Sequence, residues 1–103
     1  MRIDLTKTRQ VHTIGWRRAI DFLTNETQGR IFSVYFRKKT NGEMREMNCR
    51  RGVKAHLSGG DLPYDPKTKL VLPVFDLQKK EYRMVNLRGL VSFNIGGETF
   101  LIE

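Results

Sequence analysis

The stretch IFSVYFRKKTNGEMREMNCR (residues 31–50) decides the fold of this chain. Phe32, Val34 and Phe36 alternate with Ser33 and Tyr35, the period of two that marks a strand with one buried face. Thr40-Asn41-Gly42 follows, and Asn-Gly is the strongest short hairpin signal because both residues tolerate positive φ. The return strand runs from Glu43 to Arg50. On it Arg45, Met47 and Cys49 face one way, and Glu46, Asn48 and Arg50 face the other, towards solvent.

Upstream, the period changes. Trp16, Ala19, Ile20 and Leu23 fall at helical spacing, with Arg17, Arg18 and Asp21 largely on other faces, which predicts a short amphipathic helix from Trp16 to Asn25, closed off by Gly29. Residues 1–13 show no firm periodicity and read as a mobile or partner-ordered arm. Downstream, RGVKAHLSGGDLPYDPKT (51–68) is rich in Gly and Pro and reads as a long connection, with room for one helical turn near Val53 to Leu57. A strand is expected over Lys69 to Asp76, with Pro73 pushing it towards an edge or bulge. A turn at Leu77 to Lys80 leads into a strand over Tyr82 to Leu87. Gly89 permits a sharp bend into Val91 to Ile95, and Gly96-Gly97 turns the chain into Thr99 to Ile102. One helix followed by five or six short strands, with no helix between consecutive strands, predicts a mainly β chain: a small, strongly bent antiparallel barrel over 29–103, preceded by an arm and helix over 1–28.

The chain has 103 residues, enough for a single hydrophobic core, and ten aromatic side chains to build it. Its apolar runs fall far short of a membrane span, and MRIDLTKTRQ lacks the apolar stretch of a signal peptide, so a cytoplasmic protein with no membrane partner is expected. Cys49 is the sole cysteine, which excludes an intrachain disulfide and a cysteine-based metal site; a small buried hydrophobe on a strand is the expected role. The formal charge is +8, and residues 30–55 hold eight basic and two acidic groups, three quarters of the excess. Such a concentration attracts nucleic acid, nucleotides or an acidic protein face.

Several stretches resemble a known family. MNCRRGVKAHLSGG (47–60), the YDP at Tyr64 to Pro66 and VFDLQKKEYRMVNL (74–87) resemble the small bacterial and phage proteins classed as WYL-like Sm/SH3 β-barrels, and GRIFSVYFRKKTNGEMREM (29–47) fits their first hairpin. The resemblance covers roughly residues 29 to 90 and implies an Sm/SH3-like barrel. Related WYL domains look like sensors of nucleic acid or nucleotide ligands, often in regulators of phage defence. The Trp-Tyr-Leu tripeptide that names those domains is absent here, so their ligand-binding residues do not carry over.

Two clusters could hold an anion. Arg50, Arg51, Lys54 and His56 lead into Ser58-Gly59-Gly60: guanidinium forks bind phosphate bidentately and a glycine pair lets backbone N–H groups approach closely. The bland alternative is a solvated strand end with a flexible loop. Gln78, Lys79, Lys80, Tyr82 and Arg83 could hold a backbone while the aromatic ring stacks a base, with Tyr35 as a further platform residue; a charged turn that discourages edge pairing explains them equally. Trp16 beside Arg17 and Arg18 reads as a packing anchor before a partner site. Asp61, Asp65 and Asp76 match no metal-ligand spacing, and no nucleophile, base and orienting group can be paired. No cofactor is expected. The reading is therefore a non-enzymatic, nucleic-acid-binding accessory protein from a phage or mobile element. Its rivals are an oligomeric sensor or sequestering protein for a small phosphorylated nucleotide, and an inhibitor of a host defence protein acting through the Trp16 helix.

Overall fold

A computed structural model describes residues 10–51 and 66–103, with the side chains of 66 and 67 left aside. The elements in chain order are β1 (Gln10–Ile14), α1 (Trp16–Asn25), β2 (Ile31–Arg37), β3 (Met44–Arg50), the single helical turn α2 (Pro66–Lys69), β4 (Val71–Asp76), β5 (Glu81–Asn86), a 3-10 turn (Leu87–Gly89), β6 (Leu90–Ile95) and β7 (Glu98–Ile102). The fold is mainly β. Seven strands form one sheet in the order β1-β7-β6-β2-β3-β4-β5.

The alternation in 31–37 produces the expected strand. Phe32, Val34 and Phe36 are buried, and β2 pairs antiparallel with β3 from Ile31↔Arg50 to Arg37↔Met44. On β3, Met47 and Cys49 are buried and Arg45 is half-buried, whereas Glu46, Asn48 and Arg50 are exposed, as the pattern predicts. The hairpin itself differs from the Asn-Gly expectation. Lys38 N donates to Glu43 O at 2.7 Å and Gly42 N to Lys38 O at 3.0 Å, so the loop is longer than a two-residue turn. Only Gly42, at φ +74, takes the left-handed conformation; Asn41 instead accepts from Glu43 N at 3.0 Å through its side-chain oxygen. At the other hairpin, Gly96 and Gly97 both have positive φ (61 and 82), which a two-residue turn with the right-handed strand twist requires.

β2 also pairs with β6, and the register shifts between Tyr35↔Ser92 and Phe36↔Leu90, which leaves Val91 as the extra residue of a bulge on β6. The expected closed antiparallel barrel is not what forms. β1 pairs with β7 in parallel, so the sheet is mixed, and β1 and β5 end it. β4 meets β3 only at Cys49↔Asp76 and Arg50↔Phe75, and near the end of β2 a side-chain bond from Asn86 Nδ2 to Arg37 O at 2.9 Å links β5 to β2 without a strand pairing between them. Pro73 sits in the part of β4 beyond the β3 pairing, where its missing N–H costs no ladder bond to β3.

Sequence reading left residues 10–13 in an arm because QVHT has no second apolar residue to set a period; in the fold they gain order from β7, with His12 stacked on Phe100 at 4.8 Å and His12 Nε2 at 3.1 Å from Glu98 Oε1. The suggested helical turn near Val53 to Leu57 lies outside the described residues; α2 stands later, at the mouth of β4.

Helix α1 covers the sheet. Ala19, Ile20 and Leu23 join Phe32, Val34, Phe36, Met47, Cys49, Leu72, Val74, Val85, Phe93 and Ile95 in one core, and Phe22 stacks on Phe93 at 5.6 Å. Burying each of the larger side chains contributes roughly 1.5–3 kcal/mol. The helix is fixed at both ends. Trp16 Nε1 donates to Leu87 O at 2.8 Å, which makes Trp16 the packing anchor that its spacing suggested. At the other end Thr27 Oγ1 donates to Leu23 O at 2.6 Å, and Gly29, at φ +74, turns the chain towards β2 a few residues after the helix has ended.

Candidate functional site

The two basic clusters come from separate stretches of sequence, and strand pairing brings part of each together. Ile31 pairs with Arg50, Arg50 with Phe75, and Phe75 with Tyr82. Cross-strand partners point to the same face, so Arg50 and Tyr82 share one row across β3, β4 and β5, about 10 Å apart at two strand spacings. Phe75 fills the space between them, its ring edge-on to Tyr82 at 5.6 Å and 73°. Arg50 is exposed and Tyr82 half-buried. At the outer end of the row Ile31 is 61% exposed.

The β4–β5 turn stands beside this row. Asp76 organises it: its Oδ1 accepts from Gln78 N at 2.9 Å and Lys79 N at 3.1 Å, and its carbonyl accepts from Lys80 N at 2.7 Å. Leu77 N donates to Asn48 O at 3.0 Å, which ties the turn to β3 two residues before Arg50. Lys79 and Lys80 are consequently exposed on a turn of defined shape, Lys80 at φ 57. Asp76 is thus a turn-former. Asp61 and Asp65 lie outside the described residues, and among the described residues no group of three or more His, Cys, Asp or Glu side chains could hold a metal ion.

The remaining expected site residues are placed differently. Arg51 is buried, with 8% of its surface exposed, and its Nη1 donates to Leu23 O at 2.9 Å and Thr24 O at 2.5 Å. It therefore satisfies the last carbonyls of α1, where a cation also complements the helix dipole. Burial pushes its pKa below the usual guanidinium value, an effect partly offset by the Tyr82 phenol. Arg50 and Arg51 thus face opposite ways, as strand alternation requires. Arg83 alternates with Tyr82 and turns to the other side of β5, where its Nη1 meets Glu81 Oε1 at 3.0 Å and its Nε lies 4.0 Å from Asp76 Oδ2. Tyr35 lies in another row, between Glu46 and Ser92, away from Tyr82. Lys54, His56 and the Ser58-Gly59-Gly60 segment lie outside the described residues.

A second basic feature was not singled out from the sequence. A groove of about 560 Å³ runs between the β2–β3 hairpin and β5, with Lys38, Lys39 and Arg45 on the hairpin side and Val71 and Met84 opposite. The only advance signal was the charge excess over 30–55, which does not reveal that these three side chains converge.

The described site thus belongs to a small mainly β protein with an exposed Arg-Tyr row and a basic turn on one face. Comparison with protein-family models, with curated proteins and with solved structures finds no match.

Proposed function

We propose that the chain is a non-enzymatic binding module of Sm/SH3-like architecture that holds nucleic acid on the outer face of β3, β4 and β5. The architecture is supported by the succession β2, β3, β4, β5, a 3-10 turn and β6, with β6 returning to pair with β2 beneath an N-terminal helix. The resemblance of 29–90 to WYL-like proteins points the same way, and with it to an accessory role in a phage or mobile element. The observation that carries the binding role is the row that joins Arg50 to Tyr82, beside the exposed Lys79 and Lys80. Arg50 and the two lysines contact phosphates, and the accessible edge of Tyr82 takes a base or sugar. Among the described residues the one helix longer than a single turn, α1, is packed on the sheet and does not enter a groove, so binding is weakly dependent on sequence.

Anisotropy of a labelled oligonucleotide over a salt series tests this. About three phosphate contacts give a log–log slope of about −2 to −3. Joint replacement of Arg50, Lys79 and Lys80 by Ala flattens that slope while melting stays unchanged, because all three side chains are exposed. A slope near zero in the parent protein, or a triple variant that binds as the parent does, refutes the assignment. A mononucleotide that binds as tightly as an oligomer, and responds to Arg50→Ala alone, favours the small-ligand sensor instead.

A further inference from the structure

We infer that the groove between the β2–β3 hairpin and β5, which shares only Tyr82 with the Arg50 row, is a docking site for an acidic, amphipathic peptide segment of a partner protein. Its two banks differ in chemistry. Lys38, Lys39 and Arg45 stand on the hairpin bank, and none of the three has an ion pair among the described residues. The opposite bank mixes apolar surface with a paired charge: Met84 is 53% exposed and Val71 half-buried, Tyr82 and Asn86 flank them, and Arg83 is held by Glu81 at 3.0 Å. An extended segment has side chains on two sides with a period of two, so acidic residues on one side and apolar residues on the other meet both banks at once.

A nucleic-acid strand fits this groove poorly. Phe36 lines it but is buried, so among the described residues the groove adds no aromatic surface to the Tyr82 edge that borders the Arg50 row. On the β5 bank Arg83 is already paired with Glu81, so a ligand charged on every unit meets no further cation among the described lining residues there, whereas a peptide can place apolar side chains against Met84 and Val71. Exposed methionine is a flexible, polarisable contact suited to apolar peptide side chains. The inference does not depend on nucleic-acid binding by Arg50, Lys79 and Lys80.

The test uses the full chain, 15N-labelled, with three probes: a short peptide alternating Glu with Leu or Phe, the same peptide with Ser in place of every apolar residue, and an oligothymidylate. The first peptide is expected to bind saturably and to shift the amides of Lys38, Lys39, Arg45 and Met84, leaving Arg50, Lys79 and Lys80 unmoved. Arg45→Glu should weaken it at least about tenfold, since a like charge then faces the acidic side of the peptide. Lys39→Glu, on an exposed loop, gives the same direction of change if Arg45→Glu fails to fold. Met84→Glu weakens it as well. Equal binding of the serine peptide, peptide shifts elsewhere on the protein, or no peptide binding overturns the proposal. So do groove shifts produced by the oligothymidylate and not by the peptide, which would assign the groove to nucleic acid.

Discussion

Cys49 on β3 and Arg51, just beyond its end, both act inward. Replacing Arg51 by Ala removes charge-assisted bonds to two helix-end carbonyls, each worth roughly 1.5–3 kcal/mol. Arg51→Ala should therefore lower unfolding free energy by about 3 kcal/mol in denaturant titrations, whereas Arg50→Ala, at an exposed position, should leave it within about 0.5 kcal/mol. Cys49 has no exposed surface; burial, with a smaller contribution from Asp76, pushes its thiol from 9.0 up to about 12. A raised pKa holds the proton in the folded state after the unfolded chain has lost it. The corresponding stability is complete below pH 9 and is lost as pH rises towards 12. Unfolding midpoints of the parent should thus fall more steeply above pH 9 than those of Cys49→Ala, which itself costs about 1–2 kcal/mol at neutral pH through the cavity it leaves. Parallel slopes for the two proteins would contradict a buried neutral thiol.

Among the elements, the 3-10 turn carries a close-approach constraint at Gly89. Sequence reading assigns Gly89 to a sharp bend, but its φ is not positive, and what the position needs is space. A Cβ there would stand 2.6 Å from Arg37 O and 3.0 Å from Asn86 Nδ2. That carbonyl accepts the Asn86 amide, the bond that joins the end of β2 to the end of β5. Gly89→Ala should push these apart and cost about 2–3 kcal/mol, with hydrogen exchange speeding up at the β2 end before elsewhere. Asn86→Ala, which removes the bond but adds no bulk, should cost about 1 kcal/mol. If Gly89→Ala costs no more than Asn86→Ala, close approach is not the constraint at that position.

At the scale of the molecule, one edge of the sheet depends on a short segment with little apolar content of its own. β1 covers β7 along its length, from Gln10↔Glu98 to Ile14↔Ile102, and Glu103 N donates to Ile14 O at 2.9 Å. Its loss uncovers Phe100, which stacks on Phe93 at 4.9 Å, and bares the β7 edge. A chain starting at Gly15 should melt about 5–15 °C below one starting at Gln10 and aggregate more readily. Equal melting would mean that β1 adds no stability to the sheet.

Alternation in 31–37 and 44–50, helical spacing in 16–25 and the Gly96-Gly97 pair were sufficient to read the central hairpin, α1 and the last turn, because each is set by contacts between near neighbours and by local backbone preference. The same local rules identified Cys49 as buried and Trp16 as an anchor. They could not find β1, whose order comes from a partner at the far end of the chain, nor the mixed direction of the sheet. Alternation put Arg50 towards solvent and Arg51 on the opposite side, but it could not show that Arg51 is used up by the Leu23 and Thr24 carbonyls, which depends on where the end of α1 packs. For the same reason Lys38, Lys39 and Arg45 were only a local excess of charge in the sequence. Their convergence on one bank of a groove depends on β5 lying beside the β2–β3 hairpin, where Asn86 bonds Arg37 O, a long-range arrangement that only the tertiary structure decides.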